Sequence, residues 1–598
     1  MATFNWKKAL PALLGVTLAC GLTPEAGAVG TWTTLTAAAP VGIGTMLLLT
    51  DGRVMAQSAS DKTCYTLTPD ALGSYVNGKW SAIAPMSGFR LYYTSAVLRN
   101  GDVLVSGGEY SDFGSDTNTS VIYHTLSNTW GTVPVPKHRD GSDWTLIGDA
   151  VSTTLSNGRL LMGDIQSPEQ AVYDYVTNTW TASAGVKAVR SNEEAWTLQP
   201  DGSVLTVNCI GQADSGPTPE NAERYVPGSD SWLNAGSSPA GHSLVDPNSS
   251  ELGPGLLLPS GITLYIGATG HTALYVAPNT WVGGPDLYGS DKTLLLGAPD
   301  APGCVEINGK ALCLVSPASS SGNSFPNGLH FLEYTFDNGA TNGSFAEAPE
   351  PSGNAFSQQS PSYVGRMLQL PNGQVLFTQG GRQLYAYTPD SGPNAAWKPA
   401  ITSVKAQAGG AFLVTGTQFN GLTQGAYYGD DAQMASNYPL VRLTGAAGGV
   451  YYGRTFNHST MGLATGGAVV TTTFTPPAAL PAGNYSLQVV ANGIASAGVA
   501  FTFSKSLALD SLTLSSASVT HGAPVTATVT LSGPAPAGGA KIAFYTSNAA
   551  VARPAQKNET IPAGSSSITF TVNTFTPGVV TFKVVYGSSE RTIKLTVK

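Results

Sequence analysis

Short apolar runs alternate with glycine-containing turns along most of the 598-residue chain. Asn-Gly and Asp-Gly pairs tolerate the positive φ angles of tight turns, so a turn of this kind between two apolar runs predicts a hairpin of antiparallel strands. Seven such turns end in the glycines Gly52, Gly101, Gly158, Gly202, Gly261, Gly309 and Gly373. No long segment has the 3.6-residue apolar period of a helix. The pattern therefore predicts an all-β protein.

Tryptophan recurs about every fifty residues and gives the hairpins a larger period. Spacings of 50, 50, 52 and 49 residues separate Trp80, Trp130, Trp180, Trp232 and Trp281. Most of them close the phrase Tyr-(x)n-Asn-x-Trp. A fifty-residue unit of four short strands cannot bury both faces alone, so copies must stack around an axis. The period predicts a seven-bladed β-propeller of the kelch type over residues 29–398.

Two further domains are expected after residue 398. Residues 399–505 contain short alternating strands, for example at 412–416 and 485–490, which are typical of an immunoglobulin-like β-sandwich. Residues 506–598 have the same style and resemble bacterial immunoglobulin-like repeats. We therefore expect two immunoglobulin-like sandwiches, the second acting as a spacer or adhesion module.

Residues 1–28 have the pattern of an export signal. Lys7 and Lys8 precede an apolar core, and residues 26–28 offer the small-x-small pattern of a signal-peptidase site. The core is too short to remain in a bilayer as a spanning helix. A lipoprotein anchor at Cys20 is the alternative, although Thr17 stands where the lipoprotein box has an aliphatic residue. We expect a secreted protein without a transmembrane segment.

Composition narrows the partners that such a protein could have. The 70 glycines, 39 prolines and 11% charged residues suit an extracellular all-β protein, and the net charge of −8 is small for this length. No basic cluster accompanies the aromatic residues, which argues against nucleic acid. We expect a monomer whose partner is an extracellular glycan or another cell-surface ligand.

Two cysteines stand symmetrically about one predicted turn. Cys304 and Cys313 are equally distant from Asn308-Gly309, so a two-residue hairpin would place them opposite each other at a non-hydrogen-bonded pair. The α-carbons of such a pair are close enough for a disulfide, and we predict that bridge. Two buried thiols are the alternative. Cys64 and Cys209 fall in different blades, and no pairing is predicted for them.

The order of propeller and sandwich, with residues 428–434 and 454–461, resembles the galactose oxidase family of copper-radical enzymes. In that family a loop of the sandwich supplies a histidine to copper, and His458 stands at the expected position. Tyr92, nine residues before its turn glycine, matches the tyrosine bonded through sulfur to a cysteine. Tyr363, ten before its glycine, matches the axial tyrosine.

Three family residues are replaced in this chain. Ile43 stands where the resemblance implies the cross-linking cysteine, Val364 where it implies a second histidine, and Tyr110 where it implies the stacking tryptophan. Without the thioether and the second imidazole, the radical and the copper lose their stabilisation. We therefore expect that copper-radical oxidation is lost and that no cofactor is bound. An oxidase with a rearranged copper site is the alternative.

The same count from the turn glycines reveals several acidic residues at corresponding positions. Asp149, Glu193 and Asp300 stand nine residues before a turn glycine, and Glu251 stands ten before. Glu194 is next to Glu193. If the axial strands share a register, these acids ring one mouth of the channel and face Tyr92, Tyr110, Tyr363 and His458. We interpret this ring as a ligand-binding site.

Three chemistries are compatible with such a ring. Crowded carboxylates raise one another's pKa, which suits acid–base work on a sugar by a lyase or hydrolase using Tyr92, His458 and the acids. Oxygen-rich rings also hold Ca²⁺. Alternatively, the acids accept hydrogen bonds from strand ends in a wet channel. Nearby Trp144 and Trp196 would stack on sugars if exposed, and the remaining histidines have no metal-binding spacing.

Overall fold

The computed structural model describes residues 29–210, 221–276, 278–320, 322–337, 342–351, 359–428, 434–504 and 507–598. Among these residues there are strands, turns and three short 3₁₀ helices, but no α-helix. The 3₁₀ helices are Ser362–Val364, Ala395–Trp397 and Ala408–Gly410. No helix in this part of the chain has the length and apolarity to cross a membrane. The all-β prediction is confirmed, while the export segment 1–28 and residues 429–433 lie outside the described residues.

Seven groups of four antiparallel strands form the blades of a β-propeller. Blade 1 consists of Ile43–Leu48, Val54–Ser58, Cys64–Thr68 and Lys79–Ile83, and blade 2 of Thr94–Val97, Val103–Ser106, Ser120–His124 and Thr129–Val133. Blade 3 consists of Ser152–Thr154, Leu160–Gly163, Gln170–Asp174 and Thr179–Ala182, and blade 4 of Thr197–Leu198, Val204–Val207, Asn221–Val226 and Ser231–Ser237. Blade 5 consists of Gly255–Leu257, Thr263–Ile266, Thr272–Tyr275 and Trp281–Gly283, and blade 6 of Pro302–Val305, Ala311–Pro317, His330–Thr335 and Ser344–Ala348. Blade 7 consists of Arg366–Gln369, Val375–Thr378, Tyr385–Thr388 and Thr31–Thr34.

The blades close into a ring around a central channel. The first strand of each blade contacts the first strand of the next blade, and the first strand of blade 7 contacts that of blade 1. Thr31–Thr34, from the start of the described chain, completes blade 7 by pairing with Tyr385–Thr388. The predicted propeller is thereby confirmed, whereas its assignment to the kelch type stays a prediction.

The periodic tryptophans lie on outer strands and join neighbouring blades. Trp130 stands opposite Tyr123, and its indole Nε1 donates a 2.8 Å hydrogen bond to the carbonyl of Ala84 at the end of blade 1. Asn128 adopts a φ of 53°, and its side-chain oxygen accepts hydrogen bonds from the Tyr123 hydroxyl and the Ala84 amide. The phrase Tyr-(x)n-Asn-x-Trp therefore builds an outer turn and attaches one blade to the preceding one.

The hairpin turns are one residue longer than the predicted two-residue loops. In blade 6 the Gly309 amide donates to the Glu306 carbonyl at 3.0 Å, and the Glu306 amide donates to the Lys310 carbonyl at 2.8 Å. Gly309 has a φ of 88°. This is a type I turn followed by a left-handed residue, a three-residue loop with a bulge. The extra residue shifts the pairing of the two strands by one position.

That shift makes the predicted disulfide wrong. Cys304 pairs with Leu312, and Cys313 pairs with Gly303. A one-residue change of register moves a side chain to the opposite face of a sheet, so the two sulfurs point away from each other. Both residues are buried free thiols, as are Cys64 and Cys209.

We expect Cys304 and Cys313 to be alkylated in denaturant without prior reduction, because no disulfide occupies them. In the folded protein they should resist alkylation, because burial raises the pKa of both thiols. Peptide mass spectrometry after iodoacetamide treatment measures this directly. Dithiothreitol should leave the melting temperature unchanged. A peptide pair linked through these two residues would contradict the observed strand register.

A continuous eight-stranded sheet follows the propeller. Its strands are Ala400–Ala406, Phe412–Thr417, Leu440–Gly445, Val450–Phe456, Val469–Thr475, Gly483–Ala491, Ile494–Ala495 and Val499–Phe503. Between two of them, Ala426–Tyr428 leaves this sheet and pairs with the first strand of blade 6. This segment therefore contacts the first strand of blade 6 directly, whereas the resemblance to galactose oxidase implied that the loop carrying His458 would enter the channel.

The C-terminal residues form a second compact unit, which comprises Pro481–Gly483 and Thr502–Lys598. One sheet contains Leu509–Leu514, Val525–Leu531, Ser567–Thr574 and Ala552–Pro554; the other contains Ser518–Val519, Ser589–Val597, Gly578–Tyr586, Ala540–Thr546 and Asn558–Ile561. Val529 from the first sheet and Phe544 and Phe582 from the second share one apolar core. The unit is a β-sandwich, and its immunoglobulin-like assignment and adhesive role stay predictions.

Candidate functional site

One end of the channel is lined by residues that lie shortly before the first strands of the blades and by Glu109 and Tyr110, which follow the second strand of blade 2. Each first strand runs from this end to its turn glycine at the other, so residues at equal distances from those glycines come to the same level. We call this end the mouth and define it by Tyr92, Glu109, Tyr110, Asp149, Glu193, Glu251, Asp300 and Tyr363. The acids of blades 3 to 6 are close enough to raise one another's pKa, so they share the register that the sequence count required.

Several mouth residues, or their immediate neighbours, have a left-handed backbone. Tyr92, Glu193 and Asp300 have φ values of 48°, 57° and 49° and occupy corresponding positions in blades 2, 4 and 6. A non-glycine residue in this region costs roughly 1–3 kcal/mol, so it persists only where the surrounding fold imposes it. Such residues cluster at functional sites. The left-handed backbone conformation thus occurs at positions that the count from the turn glycines also identified.

The carboxylates of the mouth lie close enough to influence one another. Burial is the largest cause of the raised pKa of Asp149, and the charges of Glu193 and Glu109 raise it further. For Glu193, burial raises the pKa to about 8, with the next contribution from Asp300. All of these acids nevertheless remain partly exposed. Glu193 therefore retains a proton at neutral pH on a side chain that a ligand can reach.

Glu193 and Glu251 are in direct contact. Their side chains are hydrogen-bonded to each other, and burial followed by the charge of Glu193 raises the pKa of Glu251 well above its usual range. Two carboxyl groups that are hydrogen-bonded to each other share one proton, because ionising both would place two like charges together. The pair can consequently donate and accept a hydrogen bond at the same pH.

Three tyrosines complete the mouth on the side of blades 2 and 7. The ring of Tyr92 lies between those of Tyr110 and Tyr363, with centroid separations of 6.1 and 6.4 Å in edge-to-face geometry. The guanidinium carbon of Arg366 is 5.7 Å from the Tyr92 ring centroid. Tyr110 is 55% exposed, which leaves its ring available for contact. The aromatic side chains thus form a platform beside the acids.

Glu109 connects the tyrosines to the acids and was missed by the sequence count. Its carboxylate is hydrogen-bonded to Tyr110, which is the first cause of the raised pKa of that phenol. It also contributes to the raised pKa of Asp149 and of Glu193. Glu109 follows Gly107-Gly108 in the loop after a second strand, so counting along the first strands could not find it. The glycine doublet was the available signal.

Glu194 does not belong to the ring of acids in which the sequence analysis placed it. Its side chain is completely buried and forms an ion pair with Lys187, and it accepts hydrogen bonds from the Trp196 indole and the Thr206 hydroxyl. Because it follows Glu193 directly, it points away from the channel and into the blade. Trp144 and Trp196 are also buried, with 1% and 0% exposure, so they belong to the core and are not available for stacking on sugars.

His458 does not lie at the mouth either, although the sequence analysis predicted that it would face the acids there. It is 1% exposed and lies at the turn end, where the amide of neighbouring Asn457 donates to the Arg99 carbonyl. Its Nδ1 is hydrogen-bonded to Thr472 at 2.9 Å. Burial, followed by the charges of Arg99 and Arg454, lowers its pKa to about 3. The histidine is a neutral internal residue on the side of the propeller opposite Tyr92.

The residues at the mouth do not fit the copper site that the resemblance implies. Tyr92 and Tyr363 are neighbours, but Ile43 is a fully buried apolar residue, and Val364 belongs to a 3₁₀ turn. With His458 at the other end, the described mouth offers phenols and carboxylates without an imidazole. Such a set lacks the nitrogen ligands that copper favours.

The carboxylates are also spaced too widely for a compact cation site. Among the described residues, no three acids bring ligand oxygens within 4.8 Å of one another. Ca²⁺ takes six to eight oxygens at about 2.3–2.6 Å, which requires a tighter arrangement. Binding of Ca²⁺ at the mouth stays a prediction, and it would require the acids to move together.

Comparisons with known proteins find distant structural likenesses only. No protein-family model matches the chain, and no curated protein matches it in sequence. A fungal alcohol oxidase of the AA5 family, in complex with copper, has 14% identity and a TM-score of 0.38 and covers 86% of this chain and 99% of its own. YjhT has 15% identity and a TM-score of 0.30, covering 60% and 98%.

A third similar structure is YCF48 from Cyanidioschyzon merolae, with 10% identity and a TM-score of 0.35, covering 60% of this chain and 99% of its own. These likenesses are distant and concern architecture alone. The strand pairing and the ring of contacts between first strands define the class of the chain, a β-propeller protein.

Proposed function

We propose that this chain is a secreted binding protein that holds an extracellular carbohydrate at the mouth of its propeller and has no copper-radical activity. The observation that supports binding most directly is the exposed ring of Tyr110 beside partly exposed, proton-retaining carboxyls. Secretion rests on the signal pattern of residues 1–28.

The mixture of groups at the mouth suits a polyol. An aromatic ring offers a flat apolar surface to the C–H face of a sugar, and the mouth has one such ring exposed and two more behind it. Ionised carboxylates accept hydrogen bonds from hydroxyl groups, while a protonated carboxyl donates one. The Glu193–Glu251 pair supplies both functions at neighbouring positions. A ligand dominated by phosphate or sulfate would be repelled by the same acids.

A glycan array with the purified protein identifies the ligand, and calorimetry on the first hit measures its affinity. We expect Tyr110→Ala to weaken binding at least tenfold, about 1.4 kcal/mol. Tyr545→Ala is the matched control, because Tyr545 is 54% exposed on the C-terminal sandwich. If wild type, Tyr110→Ala and Tyr545→Ala all bind the glycan with equal affinity, the binding surface lies outside the mouth.

An acid–base enzyme acting on a carbohydrate is the second candidate, and the proton shared by Glu193 and Glu251 favours it. A carboxyl with a pKa near 8 is a proton donor at neutral pH, as general-acid catalysis requires. Product analysis on any array hit decides between the two functions. Turnover that is lost in Glu193→Gln with binding retained supports the enzyme, whereas an unchanged glycan after prolonged incubation supports binding alone.

A further inference from the structure

Blade 5 brings together two histidines and an aspartate that are far apart in the sequence. His242 precedes the first strand of the blade, His271 stands directly before the third strand, and Asp286 follows the fourth. One potential ligand atom from each lies within 4.8 Å of the other two. Within the described ranges, this is the only group of three or more His, Cys, Asp or Glu side chains that meets this distance.

The contacts within this trio are already those of a polar site. His271 Nδ1 is 2.7 Å from Asp286 Oδ1, and the rings of His242 and His271 are 5.7 Å apart. Nδ1 of His242 is buried and has no hydrogen-bond partner. A buried polar atom without a partner is costly, so an imidazole in this state gains most from a bound cation.

The backbone around the trio is held by three hydrogen bonds. The amide of Leu287, next to Asp286, donates to the Gly270 carbonyl at 2.8 Å. The hydroxyl of Thr272, next to His271, donates to the Pro285 carbonyl at 2.7 Å. The amide of Gly284 donates to the Thr272 carbonyl at 2.9 Å. His271 and Asp286 are therefore positioned by paired backbone segments and not by exposed loops alone.

Gly283 makes room for the third member of the trio. A β-carbon at this position would lie 2.3 Å from Nε2 of His242 and 2.7 Å from two carbons of its ring. Only a glycine allows the imidazole to occupy this place against the fourth strand. An alanine there would move the ring while leaving all three candidate ligands in the chain.

The geometry points to a divalent transition-metal site formed by His242, His271 and Asp286, with Zn²⁺ as the ion that fits best. Two imidazoles and one carboxylate are a donor set for zinc, whereas Ca²⁺ and Mg²⁺ prefer oxygen alone. Three protein ligands leave a fourth tetrahedral position open. The side chains of His271 and Asp286 are 30% and 33% exposed, so water can occupy that position.

The site is independent of the proposed glycan function. It is made of the outer part of one blade, and none of its three ligands belongs to the mouth. It lies at the same end of blade 5 as Glu251, because the turn from the second to the third strand and the exit of the fourth strand fall at that end. Loss of either property would leave the other measurable.

Titration of the purified, metal-free protein with ZnCl₂ by calorimetry tests the site. We expect one tightly bound Zn²⁺ per chain and at least tenfold weaker binding in His242→Ala, Asp286→Asn and Gly283→Ala. His330→Ala is the matched control, because His330 also pairs with a carboxylate, Glu347 at 3.0 Å, but has no second histidine in such a group. This variant should bind zinc as the wild type does.

Two further measurements keep the test decisive. Cobalt in place of zinc should give the visible absorption of a tetrahedral centre in wild type and not in His242→Ala. Gly283→Ala should keep its melting temperature without metal, since the atoms it displaces belong to the end of a side chain. Wild-type binding weaker than about 100 μM, or binding unchanged in His242→Ala and Asp286→Asn, would overturn the proposal.

Discussion

Lys187→Met is expected to lower the free energy of unfolding by about 3–5 kcal/mol. The Lys187 ammonium and the Glu194 carboxylate are both fully buried and paired with each other. Removing the cation leaves the carboxylate in a medium that disfavours charge, because burial already raises the pKa of Glu194 and Lys187 is the main group that lowers it. The Lys187 ammonium also lies 5.5 Å from the ring centroid of Trp232.

Tryptophan fluorescence during denaturant unfolding measures this effect selectively. Residues 502–598 contain no tryptophan, so the signal reports the unit that includes the propeller. Lys137→Met is the control, because Lys137 and Asp143 pair with side chains 57% and 60% exposed. Such exposed pairs contribute about 0–1 kcal/mol. The double variant Lys187→Met/Glu194→Leu should recover much of the loss, and a double variant as unstable as the single one would disprove the pairing argument.

Raising the pH from about 5 to about 8 is expected to destabilise the propeller unit, and Glu193→Gln should remove about 3–4 kcal/mol of that loss. The pKa of Glu193 is raised from 4.5 to about 8 in the folded chain. The folded state therefore binds more protons than the unfolded state between these values. Its stabilisation is complete below pH 4.5 and is lost as pH rises through 8. Glu251 has a raised pKa and acts in the same direction.

Unfolding of wild type and variant at a series of pH values measures this dependence. Glutamine keeps the size of the side chain and its hydrogen bond to Glu251 but carries no charge, so Glu193→Gln should be the more stable protein at pH 8. Glu590→Gln is the control, because that side chain is 60% exposed in the C-terminal unit. Parallel pH profiles for wild type and Glu193→Gln would show that the mouth carboxylates do not interact as described.

The repeats of this chain made much of its fold and part of its site predictable. Each turn glycine marks one end of a first strand, and strands of similar length carry the residues nine or ten positions earlier to a common level. For that reason Asp149, Glu193, Glu251 and Asp300 could be grouped from the sequence, and the structure brings them together. Their role as ligand-binding residues stays a prediction.

The failed predictions depended on details that the repeat does not encode. Cys304 and Cys313 required a two-residue loop, and the bulge at Gly309 shifted the register by one position. Glu194 is adjacent to an acid of the mouth, but consecutive residues point in different directions. His458 depends on how the following sheet packs against the hairpin turns, a long-range arrangement that no local pattern specifies.

The sequence search for metal sites failed for a related reason. His242, His271 and Asp286 come from three separate loops, so no short spacing such as His-x-x-x-His could reveal them. The antiparallel order of strands in blade 5 brings these loops to one end of the sheet. A non-local group of this kind is visible only once the topology is known.

The pairing of Thr31–Thr34 with Tyr385–Thr388 also governs the order of events during synthesis. A chain made from its N-terminus releases this strand first and its partner more than 350 residues later. Until then the strand is an unpaired edge, which invites association with other chains. Its brevity and its three threonines limit that hazard. Closure of the ring is thus a late step of biogenesis, and an incomplete chain lacks the partner that would seal it.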